Sequence, residues 1–139
     1  MLRVLMPVDG SESAIRAVKL VIRKAPLYKE PFELHLLNVQ HAFPGTLRGV
    51  HQQAQEIHRE EGLKALAPAR KLLDEAGVTY AHHIGVGDAV EVIAHYVKDK
   101  RIEQLVMGTR GLGSVSGLLM GSVTSKVIQL VDIPILLVK

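Results

Sequence analysis

The feature that most constrains this chain is its alternation of solidly apolar strands with amphipathic helices. Leu2 to Val8 reads as a buried strand ending in a turn at Asp9-Gly10-Ser11. Ala14, Ala17, Val18, Val21, Ile22 and Ala25 then form an i, i+3, i+4, i+7 stripe, which predicts a helix capped by Ser11 or Ser13. Pro26 and Pro31 bracket a connection to a second strand, Phe32 to Val39. Residues 40–50 carry Pro44, Gly45 and Gly49 and read as a loop. A long helical pattern runs from about Val50 to Ala76, with Gly77 as its stop and Pro68 expected to kink or split it. Val78 to Ile84 is the third strand, followed by a turn at Gly85-Val-Gly87. Asp88 and Glu91 resemble a capping box opening a helix along Val90, Ile93, Ala94 and Val97. Gln104 to Thr109 is the fourth strand. A last helix spans about Ser122 to Leu130, and Asp132-Ile-Pro134 breaks the chain before a closing strand, Ile135 to Val138.

Strands that are apolar throughout, instead of alternating, belong to a sheet covered on both faces. The expectation is a single α/β domain over 1–139: a five-stranded, mostly parallel, doubly wound (Rossmann-like) sheet in three α/β/α layers. Ligands of such folds bind beyond the carboxyl ends of the strands, where the strand order reverses. The turn after strand one and the connection after strand four both lie on that edge.

Five of the twelve glycines cluster after strand four: Gly108, Gly111, Gly113, Gly117 and Gly121. A loop of this kind turns backbone amides toward an anion, and the helix after it adds its positive end. The natural anion is a phosphate chain, so the loop reads as part of a nucleotide site. Two familiar glycine motifs do not fit. A P-loop needs Lys before the Ser that follows its last glycine, and Gly121-Ser122 has none. A dinucleotide fingerprint follows the first strand, and Gly111-x-Gly113-x3-Gly117 is also one residue too long.

The spacing Gly108-x2-Gly111-x9-Gly121-Ser122 resembles the ATP-binding signature of the universal stress protein family. The resemblance runs the length of the chain. Val4-Leu-Met-Pro-Val-Asp-Gly-Ser11, Leu36-Leu-Asn-Val39, Gly87-Asp88-Ala89 through Ile93 and Pro134-Ile-Leu-Leu-Val138 are each similar to family segments. Ala89 stands where the family often has proline. The resemblance implies that Pro7, Val8 and Asp9 face the adenosine and that Val39 contacts the adenine. It places Met107 and Gly108 along the ribose, with Arg110 and Gly111 near the phosphates. Gly121, Ser122, Val123 and Thr124 would hold the phosphates through amides and hydroxyls. Arg110 is the only cation in the loop, so Mg²⁺ is expected to neutralise a triphosphate, with Asp9 or a hydroxyl helping to hold it. The resemblance further implies a homodimer joined through Ile135 to Val138.

These readings point to an ATP-binding, homodimeric stress or regulatory protein that senses adenine nucleotide and signals to a protein partner. The alternatives are a slow ATPase or nucleotidyl-transfer enzyme, and a nucleotide-free interaction module. No general base stands out near the loop, so hydrolysis, if any, is expected to be slow. The helix from Val50 to Ala76, with its Gln/His-rich start at 51–58, is where a partner would have room to bind.

Composition excludes several classes. No cysteine is present, which rules out disulfides and thiolate metal sites. The net charge is +3, but acids and bases are interleaved and aromatics are only 4%, unlike a nucleic-acid surface. No apolar run approaches the ~20 residues of a membrane helix. The start is too short and too early in charge for a signal peptide, so a cytoplasmic location is expected. The seven histidines form no evident metal set: His51 and His58 read as a solvated helix face, His35 and His95 as solvated or core-edge residues. Of the neighbours His82 and His83, one should pack and the other stay wet. A phosphoacceptor reading of Asp9 fails because strand three ends in Ile84-Gly85, without a second acid.

Overall fold

The computed structural model describes residues 1–43, 51–110 and 121–139. Five strands form one sheet in the order β3-β2-β1-β4-β5, with every pairing parallel. The strands are β1 (Leu2–Pro7), β2 (Phe32–Gln40), β3 (Tyr80–Val86), β4 (Gln104–Gly108) and β5 (Ile135–Val138). The helices between them are α1 (Glu12–Lys24), α2 (His51–Glu75), α3 (Ala89–Asp99) and α4 (Ser122–Leu130). The expected doubly wound α/β/α domain is therefore what forms.

Alternate residues of each strand feed two cores. Val4 and Met6 of β1 and Leu34 and Leu36 of β2 pack against Ala17 and Val18 of α1 and Leu66, Ala69 and Leu73 of α2. Leu5, Leu37, Leu105 and Met107 pack on the other face against Ile93 of α3 and Val127 of α4. This two-sided burial is why the strands lack polar alternation. β3 and β5 are the edges, and their side chains are more exposed than those of the inner strands.

Local signals explain most boundaries. Ser11 is the cap of α1, its Oγ accepting from the Ala14 amide at 3.2 Å. Asp88 caps α3 by accepting from the Glu91 amide at 3.1 Å. Gly77 ends α2 with φ of 70°, a left-handed value that a side chain would resist. The Gly77 and Val78 amides close back on the carbonyls of Asp74 and Leu73. That closure uses up Val78, so β3 begins at Tyr80 and runs to Val86, two residues later than the apolar run implied. Residues Ala25–Leu27 add a short 3-10 turn that the pattern did not reveal.

Pro68 does not split α2, which runs unbroken from His51 to Glu75. Pro68 and Lys64 are exposed, so water can satisfy the Lys64 carbonyl that lost its donor. Buried Leu66, Ala69 and Leu73 hold the helix on both sides of the proline.

Candidate functional site

β1 and β4 lie side by side, yet the helices that follow them, α1 and α4, pack on opposite faces of the sheet. A cavity of about 760 Å³ opens where they part. Its floor is the carboxyl ends of three strands: Pro7 of β1 with Val8 just beyond it, Leu37 to Gln40 from β2, and Met107 and Gly108 from β4. The turn Asp9-Gly10-Ser11 forms one lip, and Gly121 to Thr124 at the start of α4 forms another. Ala89 and Ile93 of α3 give an apolar wall; Glu61, Lys64 and Ala65 of α2 line the cavity as well.

Eleven of the twelve expected site residues line this one cavity: Pro7, Val8, Asp9, Val39, Met107, Gly108, Arg110, Gly121, Ser122, Val123 and Thr124. Gly111, with Gly113 and Gly117, lies outside the described residues. Asp9 shapes its own turn, its Oδ1 accepting from the Ser11 amide at 2.9 Å. The feet of the glycine segment are joined, because the Gly121 amide donates to the Thr109 carbonyl at 2.6 Å. Gly121 is the cap of α4 and supplies no side-chain oxygen of its own to the first amides of the helix. The first residues of this nine-residue helix line the cavity, so the positive end of the helix dipole lies on that side. The Thr124 hydroxyl donates to the Gly108 carbonyl at 3.1 Å, so it ties α4 to β4 and has no proton left for a ligand.

Several lining residues escaped the sequence reading. Asn38 is buried and donates from Nδ2 to the Val8 carbonyl at 2.8 Å; Gln40 donates to Asn38 Oδ1 at 2.7 Å. Their signal was present as two polar residues, two apart, at the end of an apolar strand. Glu61 and Lys64 come from a distant helix and carry no local signal. Lys64 adds a second cation beside Arg110, paired with Glu61 at 3.4 Å.

The histidines need correction. His35 is neither solvated nor at the core edge but buried, 5% exposed, under α3. Its Nε2 donates to Glu33 Oε1 at 2.8 Å, and its Nδ1 meets His83 Nε2 at 2.8 Å. His58 also is buried instead of solvated. It stacks on Phe43 with ring centroids 4.5 Å apart and donates from Nε2 to the His41 carbonyl at 2.9 Å. Its place in the stripe Ala54, His58, Gly62, Leu66 was the clue. His82 is exposed and His83 half-buried, as their alternation requires, and His95 is exposed. The side chain of His51 lies outside the described residues. Burial, then the nearby His35, Lys100 and His82, push the pKa of His83 below its ordinary value. Among the described residues no group of three or more His, Asp or Glu could hold a metal ion. Nor is any described helix long and apolar enough to cross a membrane.

A parallel sheet wound on both faces, with a cleft beyond the carboxyl ends of its strands where their order reverses, defines a doubly wound, Rossmann-like α/β domain. The family model of the universal stress protein family matches residues 1–139, and the chain belongs to that family. It is 28% identical over 138 residues to the universal stress protein MJ0531 of Methanocaldococcus jannaschii, covering 99% of this chain and 81% of that one. Its fold matches the solved structure of MJ0577 with a TM-score of 0.81 at 28% identity, over 99% of this chain and 95% of that one. It also matches an Arabidopsis thaliana universal stress protein family protein solved with AMP bound, with a TM-score of 0.71 at 25% identity, over 100% and 92% of the two chains.

Proposed function

We propose that the chain binds one adenine nucleotide in the cavity at the ends of β1, β2 and β4, and that the ligand is ATP with Mg²⁺. The observation that carries this reading is that eleven of the twelve residues the family resemblance implies line one cavity. The family relationship and the AMP found on the Arabidopsis protein support it. The base would lie against Val39 and the apolar wall of Ile93, with the ribose over Asp9, Met107 and Gly108. The phosphates would meet Arg110, Gly111 and the first amides of α4, as anions do at helix starts. Thr124 then acts through its backbone amide and as a brace between α4 and β4. Mg²⁺ would be shared between phosphate oxygens and Asp9, since Mg²⁺ takes few protein ligands and keeps water or phosphate for the rest. We assign no catalytic residue.

The same proposal includes a homodimer formed through β5. That strand is a sheet edge, and an unpaired edge is a template for another strand. Leu137 on β5 is an exposed apolar side chain, as are Ile128 and Leu130 on α4. A dimer of this kind, intracellular and nucleotide-dependent, would serve as a regulatory stress protein.

The test is calorimetric titration of nucleotide-stripped protein with AMP and with ATP, in Mg²⁺ and in chelator, at two temperatures. Saturable binding near one site per chain, tighter for ATP in Mg²⁺ than in chelator, is the expected result. Equal ATP affinity in both would remove Mg²⁺ from the proposal. No saturable binding of either nucleotide would leave the cleft as a plain connection between elements.

A further inference from the structure

Ser13 belongs to the first turn of α1 and is 3% exposed, although its hydroxyl has no part in capping that helix. The oxygen instead joins three elements. It donates to the Val138 carbonyl, at the end of β5, at 3.2 Å. It accepts from the Arg110 amide, the first residue beyond β4 and Thr109, in a longer contact of 3.4 Å. One hydroxyl can do both, since it carries one proton and two lone pairs. The Val138 carbonyl takes a second donor, the Thr109 amide, at 2.8 Å. Gly108 makes the junction possible: a Cβ there would lie 2.1 Å from Ser13 Oγ. One turn further along α1, Arg16 Nε donates to the Lys139 carbonyl.

We infer that Ser13 is a positioning residue that couples occupancy of the nucleotide cavity to the end of the edge strand β5. The inference rests on the nucleotide reading above. Ligand phosphates would draw on the Arg110 segment from one side. Ser13 holds the Arg110 amide and the Val138 carbonyl through the same atom, so fixing one limits the freedom of the other. The coupling passes through two hydrogen bonds and needs no movement of the sheet. It gives the cavity a route to the strand whose outer edge is open for pairing with a second copy.

The test is residue-resolved amide exchange by NMR on the full chain, with and without AMP. A ligand at 100 times its Kd slows opening of amides that must open to release it by up to ~100-fold. In the unsubstituted chain AMP should slow exchange at Arg110 and Thr109 and also in 136–138, by at least ~10-fold in the strand on the same linkage. In Ser13→Ala, AMP should still slow Arg110 but leave 136–138 unchanged. A merely structural role would lower protection of β5 with and without AMP alike and keep the ratio, and that result overturns the inference. Protection of Arg110 without protection of 136–138 in the unsubstituted chain overturns it as well, while leaving nucleotide binding intact. No AMP binding at all overturns the nucleotide reading and the inference with it. Should Ser13→Ala not fold, Arg16→Ala decides: it removes an exposed tether to Lys139, so the AMP effect on 136–138 should persist. Its loss there would place the coupling in Arg16 and overturn the role of Ser13.

Discussion

Replacing Gly108 by alanine is the sharpest test of how the cleft is built. No left-handed φ is involved at this position, so the cost is steric. The added Cβ would meet Ser13 Oγ at 2.1 Å, the Ser13 carbonyl carbon at 2.8 Å and the Ala14 amide nitrogen at 2.9 Å. Two of those three atoms are helix backbone, so a rotamer change cannot relieve the clash. Overpacking a filled core costs about 1–3 kcal/mol, and this contact belongs at the upper end, ~3 kcal/mol. Unfolding entropy of ~2.1 cal/mol/K per residue gives ~0.3 kcal/mol/K for 139 residues, so the melting temperature should fall by ~10 °C. Gly10→Ala is the contrasting control. Its φ is 86° with nothing within 4 Å of the added carbon, so only backbone strain of ~1–2 kcal/mol applies, or about 3–7 °C. Adding Ser13→Ala to Gly108→Ala removes only the Oγ clash and should restore less than half of the loss. Thermal melts followed by circular dichroism, with AMP titrations on each variant, make the comparison. A Gly108→Ala chain melting within ~2 °C of the parent would refute the close approach of α1 to β4, because overpacking of this kind does not come so cheaply.

Three other outcomes follow from named contacts. Asp88→Ala removes the cap on the Glu91 amide and should cost ~1 kcal/mol, a drop of about 3–4 °C in a thermal melt. The folded pKa of His83 lies below the ordinary 6.5, through burial first and then His35, Lys100 and His82. The unfolded chain therefore takes up that proton first, and the stability contributed by neutral His83 is full above pH 6.5 and lost as pH falls below it. Urea midpoints measured from pH 7.5 downward should show that loss, and His83→Gln should flatten it; an unchanged slope would assign it to other groups. Leu137→Lys puts a charge on the exposed face of β5; if the proposed β5 dimer forms, light scattering should report a dimer for the parent and a monomer for this variant.

The fold was legible because each of its controls is local. Ser11, Gly77 and Asp88 act within a few residues of themselves, and the apolar runs of β1, β2 and β4 mark burial on both faces. What stayed hidden depended on partners far away in sequence. Nothing in α2 announces that Glu61 and Lys64 reach the cleft, since that depends on how the helix crosses the end of β2. His35 was read as solvated or core-edge because histidine usually is; the neighbours Glu33 and His83, one of them on another strand, give its ring nitrogens the partners that burial requires. Pro68 was read by its effect on an isolated helix, whereas here the buried residues around it keep the helix whole. The cleft itself was legible in motif but not in shape. Gly108 and Gly121 stood out at once, yet the residue that gives Gly108 its purpose, Ser13, lies 95 positions earlier.

That separation explains why the site sits where it does. β1 and β4 are neighbours, but α1, which follows β1, packs on one face and α4, which follows β4, packs on the other. The two exits diverge and leave a gap that no side chain of the sheet can fill. One lip is the Asp9 turn and the other is the start of α4, so a carboxylate and the positive end of a helix both border the opening. A ligand that carries a polar sugar and an anionic tail matches that order of groups. At the root of the gap the exits meet again, where Ser13 sits over Gly108 and holds both the Arg110 amide and the last carbonyl of β5. Any side chain at 108 would push α1 off β4 there, widening the cleft and loosening β5 together. The same substitution should therefore weaken nucleotide binding and lower β5 protection even in the ligand-free chain, whereas a change on the far lip, such as one at Ser122, should weaken binding and leave ligand-free β5 protection as it is.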